Sequence, residues 1–154
     1  MLDRLDLRPK EKVLAWAEDD DGRAIVASET ALHLQRTPPE YSRFGWEQIE
    51  HVSYDAGVMA VTLGPEHASD TLRVPVGDAP RLPVVVRDRV TSSVLIDRFV
   101  PLRGDAGVRI VGRRPVDGSV VWRAHLDPVL ADDTAARDAA TRAESEVRAE
   151  VGDV

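Results

Sequence analysis

The stretch "FGWEQIEHVSYDAGVMAVTL", Phe44 to Leu63, decides the fold. It carries a tryptophan, two glutamates, a histidine and a tyrosine, beside the core-forming Ile49, Val52, Val58, Val61 and Leu63. Trp46, Ile49 and Val52 fall three apart, which is not strand spacing, so "GWEQI" reads as a tight turn leading into a strand from Ile49 to about Tyr54. "DAG" then reverses the chain and "VMAVTL" runs back as a second strand. Glu47 and Glu50 bracket the inward-facing Ile49. As a carboxylate pair they would serve acid–base chemistry, but their positions read as solvated side chains on a turn.

Working outward toward the N-terminus, "EKVLAWAE" reads as a strand with Val13, Ala15 and Ala17 on one face. "EDDDGR" supplies a turn, because Asp-Gly accepts positive φ cheaply. "RAIVAS" and "ALHLQ" form a hairpin around Glu29-Thr30. That register sets Ile25 opposite Leu34, Ala27 opposite Leu32 and Val26 opposite His33, and leaves one face wholly apolar. "RTPPEYSR" reads as a loop, since two successive prolines cannot continue a ladder.

Toward the C-terminus, "GPEHASD" is a loop and "TLRVPV" a sixth strand. Leu82, Val86, Val90 and Val94 lie four apart with Val85 and Leu95 beside them, which predicts an amphipathic helix starting at Leu82. Its valines are poor helix formers, so burial has to hold it. "GVRIVGRRPVDGSVVWRAHLDP" predicts a second hairpin about Asp117-Gly118, with Arg113 opposite Trp122 and Val111 opposite Ala124. Ile110, Arg114, Val121, Arg123 and His125 then occupy the other face. A polar helix from about Asp133 to Val151 closes the chain, with Asp133–Arg137, Asp138–Arg142 and Glu144–Arg148 spaced as i,i+4 pairs.

The totals narrow the function classes. A chain of 154 residues with 43% hydrophobic residues is long enough for one packed core. Cysteine is absent, which removes disulfides and thiolate chemistry and fits a reducing compartment. "MLDRLDLRPKEKV" lacks the apolar run of a signal peptide, and no run approaches a membrane span. A soluble cytoplasmic protein is expected. The formal charge of −7 opposes nucleic acid and anionic lipid.

The order of these elements resembles the bacterial pleckstrin-homology-like (PH-like) domains. The marks are Gly22, the small polar turn Ser28 to Thr30, the W-x-x-I-x-x-V run of Trp46, Ile49 and Val52, and Gly57. The resemblance covers about residues 11–102. It implies an α+β fold: a strongly bent antiparallel sheet, a partly open barrel, plugged by one helix from Leu82 to Phe99. Residues 103–154 would add a hairpin and polar helix packed on that roll. Six strands precede the predicted helix where the family has seven, so the second hairpin either supplies a strand or covers an open sheet edge. Eukaryotic PH domains that bind phosphoinositides place basic residues in the first hairpin loop. Glu18, Asp19, Asp20 and Asp21 stand there in this chain, so phosphoinositide binding is not carried over.

Candidate chemistry is thin. His33, His51, His67 and His125 are scattered, without H-E-x-x-H spacing, and read as solvent-face or rim residues rather than metal ligands. Glu18 to Gly22 lacks the alternation and distant glutamate of a calcium loop. Ser119 lacks a nucleophile elbow, and "GDAGVRIVG" fits neither phosphate-loop pattern. The remaining cluster is Arg109, Arg113, Arg114, Arg123 and His125. It either holds a phosphate, a carboxylate or an acidic partner, or pairs with the acids of the C-terminal helix while Arg113 stacks on Trp122. The expectation is a non-catalytic binding or scaffold module without cofactor or metal. It would recognise a protein or self-associate as a homodimer, with an anionic ligand or lipid headgroup on the arginine patch as the alternative.

Overall fold

The computed structural model of the chain describes residues 5–115 and 118–152. It is an α+β structure of three antiparallel sheets and two α-helices, and no sheet closes into a barrel among the described residues. The chain divides into two compact units, one up to Ser93 and one from Val94.

The first unit begins with β1 (Val13–Glu18), β2 (Ala24–Ser28), β3 (Ala31–Thr37) and β4 (Glu40–Gly45), hydrogen-bonded in that order. The β2–β3 register is the expected one, Ile25 on Leu34, Val26 on His33 and Ala27 on Leu32. The segment expected as a loop is corrected: Pro38 and Pro39 make only the turn, and β4 pairs back on β3 from Glu40 to Gly45. Prolines block a ladder but suit a turn, and these two sit where no ladder bond is required.

A 3-10 turn, Trp46–Gln48, carries the chain from this sheet to the next. There β5 (Ile49–Asp55), β6 (Val58–Leu63) and β7 (Thr71–Pro75) form a three-stranded meander. The β5–β6 turn holds Ala56 at φ 49 and Gly57 at φ 79, the left-handed pair that a tight hairpin demands. Seven strands therefore precede the helix, not six.

That helix, α1, runs from Arg81 to Ser92 and packs on β5, β1 and β2. Leu82, Val86 and Val90 enter the core between Ile25, Ala27 and Leu32 of one sheet and Ile49, Met59 and Val61 of the other. The predicted end at Phe99 is corrected. Ser93 closes α1 through its N–H on Arg89 O at 3.1 Å and its hydroxyl on Val90 O at 2.6 Å. From Val94 the apolar residues alternate instead, at Val94, Ile96, Val100 and Leu102, and the chain extends.

The second unit contains β8 (Val94–Arg103), β9 (Ala106–Arg113) and β10 (Val121–Leu126) in the order β10-β9-β8, followed by α2 (Thr134–Val151). The expected second hairpin is thus part of a three-stranded sheet. Its register differs by one residue from the prediction: Arg113 lies opposite Val121 and Val111 opposite Arg123. The predicted turn residue Asp117 lies outside the described residues, but β9 ends at Arg113 and β10 starts at Val121, too far apart for a two-residue loop. Gly107 is needed in β9 because a Cβ there would collide with the Val100 carbonyl.

Helix α2 starts on Asp133, whose carboxylate caps the Ala136 N–H at 3.0 Å. It lays Ala140, Ala143 and Val147 on Val108 and Ile110, with Ile96, Val100 and Trp122 at the margin. Of the three expected i,i+4 pairs, Glu144–Arg148 forms, at 3.6 Å. Asp133 turns to Arg103 instead, and Arg98 pairs with Glu150.

Leu82 is 1% exposed and Val84, two residues on, is 68% exposed. Leu82→Ala should cost about 2–5 kcal/mol in urea unfolding, whereas Val84→Ala should stay within about 0.5 kcal/mol. Equal losses at the two positions would mean that α1 does not insert between the sheets.

Candidate functional site

The described residues offer three groupings of polar side chains, each inside one unit. The first is the predicted arginine patch. Alternation along β9 and β10 puts Arg109, Val111 and Arg113 on the same face as Val121, Arg123 and His125. Trp122 and Ile110 take the opposite face, under α2, so the expected grouping of Ile110 with Arg123 and His125 is corrected. Arg113 takes the face opposite Trp122, and Arg148 lies over that ring, its guanidinium carbon 5.6 Å from the centroid.

Sequence reasoning missed the residue at the centre of this patch. Asp97 of β8 sits opposite Val111, between the rows of Arg109 and Arg113. Arg109 Nε donates to Asp97 Oδ1 at 2.7 Å. That hydrogen bond, with the charges of Arg109, Arg113 and His125, holds the Asp97 carboxyl below its ordinary range despite partial burial. Asp97 likewise raises the Arg109 guanidinium. Arg113 is only 8% exposed, Arg114 lies exposed beyond the strand, and Arg123 donates to the Trp122 carbonyl at 3.2 Å. The patch thus carries its own counterion.

The second grouping surrounds Glu11. Its carboxylate accepts from Ser28 Oγ at 2.7 Å, from Thr30 N–H at 3.0 Å, from the Thr30 hydroxyl and from Arg8 N–H at 2.8 Å. Arg43 donates to Thr30 Oγ1 at 3.0 Å. Burial pushes the Glu11 carboxyl up, but the hydrogen bonds from Thr30, Ser28 and the backbone overcome this and lower it to about 2. His33 is corrected from a surface position to 1% exposure. Burial and the charge of Arg43 lower its pKa, so the ring is held neutral. Its Nε2 lies 3.0 Å from Ser28 Oγ. The single hydroxyl proton of Ser28 goes to the carboxylate, the strongest acceptor present, which assigns the His33 proton to Nε2 as donor to Ser28. Ser28 thus lies between the acid and the histidine, with its hydroxyl proton on the Glu11 side. The network staples the β2–β3 turn.

The other predicted residues stay dispersed. Glu47 is on the 3-10 turn, while Glu50 falls at the break in register between Ile49 and His51, and both Glu50 and His51 lie between the buried Ile49 and Val52. His67 packs edge-on against Phe44 at 5.3 Å. The acidic run Glu18 to Asp21 closes the β1–β2 turn, where Asp19 accepts from the Arg23 N–H at 2.8 Å and from Arg23 Nε at 2.7 Å. Among the described residues no three His, Asp or Glu side chains are placed to hold a metal ion, and no helix is long and apolar enough to cross a membrane.

The third grouping is a cleft of about 460 Å³ within the first unit. One wall is the β1–β2 turn with the start of β2 and the end of β3, from Asp19 and Arg23 to Arg36 and Thr37; the other is β7. Ile25, Leu34, Leu72 and Val74 contribute its apolar surface and Arg23, Arg36 and Arg73 its charge. Nothing in the local sequence announces it, because its walls are some forty residues apart.

The depressed Glu11 carboxyl makes stability depend on pH. A folded pKa below the ordinary carboxylate value contributes stability above pH 4.5 that is lost as pH falls through about 2. Glu11→Gln should therefore lose about 1–3 kcal/mol at neutral pH and show a shallower decline than the parent below pH 4.5. Urea midpoints measured against pH check this, and parallel pH profiles would remove Glu11 from the network. No protein-family model, curated protein or solved structure matches the chain.

Proposed function

We propose that this chain is a non-catalytic binding module whose first unit is a PH-like roll and whose task is to recognise a protein partner. Seven antiparallel strands arranged as four and three, followed by a helix against β5, support the PH-like reading. The observation that carries the functional reading is the open cleft beside β7, a strand whose outer edge has no partner strand among the described residues. The cleft lining mixes the polar Arg23, Gln35, Arg36, Thr37, Thr71 and Arg73 with the apolar Ile25, Leu34, Leu72 and Val74, and we read this mixed surface as one for binding rather than reaction.

The shared face of Arg109, Arg113, Arg123 and His125 favours a second reading, an anionic ligand. Asp97 already occupies Arg109, so an incoming phosphate would have to displace a carboxylate.

Peptide display against the immobilised full chain should enrich one sequence class, and the enriched peptides should shift the amide resonances of residues 71–75. Enrichment of nothing would end the protein-recognition reading. Inorganic phosphate and phosphatidylserine vesicles should bind the parent no better than an R114E/R123E variant. Phosphate or vesicle binding that the variant abolishes would install the anionic reading in its place.

A further inference from the structure

The cleft is lined by three arginines in a chain that carries more acid than base. The chain carries 27 acidic side chains against 20 lysines and arginines, and most of the arginines described above are engaged. Arg23 is shared by Asp19 and Asp21, Arg98 by Glu150, Arg103 by Asp133 and Arg109 by Asp97. Arg36 and Arg73 both line the cleft, and neither has a carboxylate partner among the described residues. Asp19, the acid in the lining, is committed to Arg23 and to the Asp21 and Arg23 N–H groups.

The backbone of β7 adds direction. Leu63 N–H bonds Asp70 O at 2.8 Å and Val76 N–H bonds Gly57 O at 2.9 Å. In the β6–β7 register, Leu72 pairs with Val61 and Val74 with Met59. Antiparallel pairs alternate in their hydrogen bonding, so Leu72 and Val74 face β6 while Thr71, Arg73 and Pro75 present their backbone groups outward. The Thr71 N–H is taken by Asp70 at 2.9 Å, and proline has none. The outer edge therefore offers the Arg73 N–H and C=O, with the carbonyls of Thr71 and Pro75 on either side. Its five residues span about 17 Å. This is too short and too interrupted for open-ended sheet growth, but it suits a short strand with side chains reaching the cleft.

We propose that the cleft beside β7 takes a short, extended, acidic peptide segment of a partner protein. It would pair through the Arg73 backbone and place carboxylates against Arg36 and Arg73. Charge complementarity selects the occupant: two unpaired guanidiniums flank an apolar floor in a chain otherwise rich in acid. The inference rests on the protein-recognition reading and names its partner class.

The test uses the full chain and a capped peptide of alternating glutamate and valine, with a glutamine–valine peptide as control. The acidic peptide should shift the amide resonances of Thr71 to Val74 and of Gln35 to Thr37. The glutamine peptide should bind about tenfold more weakly, as should the acidic peptide to an R36E/R73E variant. An R142E variant, altered on α2, should bind like the parent. R36Q alone, at an exposed strand end, gives a smaller loss in the same direction should the double variant unfold.

Unshifted cleft amides at saturating peptide would overturn the proposal, as would undiminished binding to R36E/R73E. Phosphatidylserine vesicles or a single-stranded oligonucleotide displacing the peptide more tightly than it binds would also overturn it. Display-selected peptides that bind elsewhere, or that lack acids, would sink this inference alone and leave the binding module standing. Failure of both the selected and the designed peptides would remove both.

Discussion

The first unit depends on how Trp46 is seated. Between Gly45 and Ile49 the chain leaves one sheet and begins another, and a change of sheet strands backbone groups that neither ladder can serve. Trp46 is 3% exposed and answers this locally. Its indole N–H lies 3.1 Å from the Ser28 carbonyl and 3.2 Å from that of Glu29, and its own N–H reaches Thr30 O. One large side chain thus fills the corner and satisfies the turn between β2 and β3. Glu11 serves the donors of the same turn from the other side, at Ser28 and Thr30. Unmade hydrogen bonds at a buried corner would cost more than the made ones contribute, so the bend of the sheet and the position of the turn are one constraint.

Sequence periodicity exposed the parts of this fold that have a single buried face. The β2–β3 register was legible because Ile25, Ala27, Leu32 and Leu34 leave only one arrangement with an apolar side, and all four are buried. Strand β4 was not, because Glu40, Tyr41, Ser42 and Arg43 are exposed or half-buried and carry no alternation. Strand β8 was hidden by a coincidence of spacing. Val94 falls four residues after Val90, so it extends the helical period that ends at Ser92. The strand period that starts there is interrupted by Arg98, which faces α2 and pairs with Glu150. A charged residue on an apolar face reads as a break in sequence and as an ion pair in space.

The functional groupings were less legible, for a different reason. Residue type identified the arginines of β9 and β10, but not which of them retained an uncompensated charge. Asp97 lies twelve residues from Arg109, and a register error of one residue was enough to give the Trp122 ring the wrong arginine. Glu11 gave no local signal, since its partners Ser28 and Thr30 lie 17 and 19 residues on. The cleft is wholly non-local: Arg36 ends one sheet and Arg73 edges the other. A charge count treats those two residues like every other arginine in the chain.

Two electrostatic scales then bear on the cleft in opposite senses. The net charge of −7 repels an acidic segment at long range. At physiological ionic strength the screening length is about 8 Å, so most of that repulsion fades before a segment reaches the rim. Under the proposal, a segment in the cleft would meet Arg36 and Arg73 at contact distances, which salt screens far less. Discrimination at such a surface comes from the last few ångströms, through paired guanidiniums and one strand edge, rather than from attraction at a distance. On that proposal an acidic protein would hold an acidic segment through local pairing although its net charge opposes the approach.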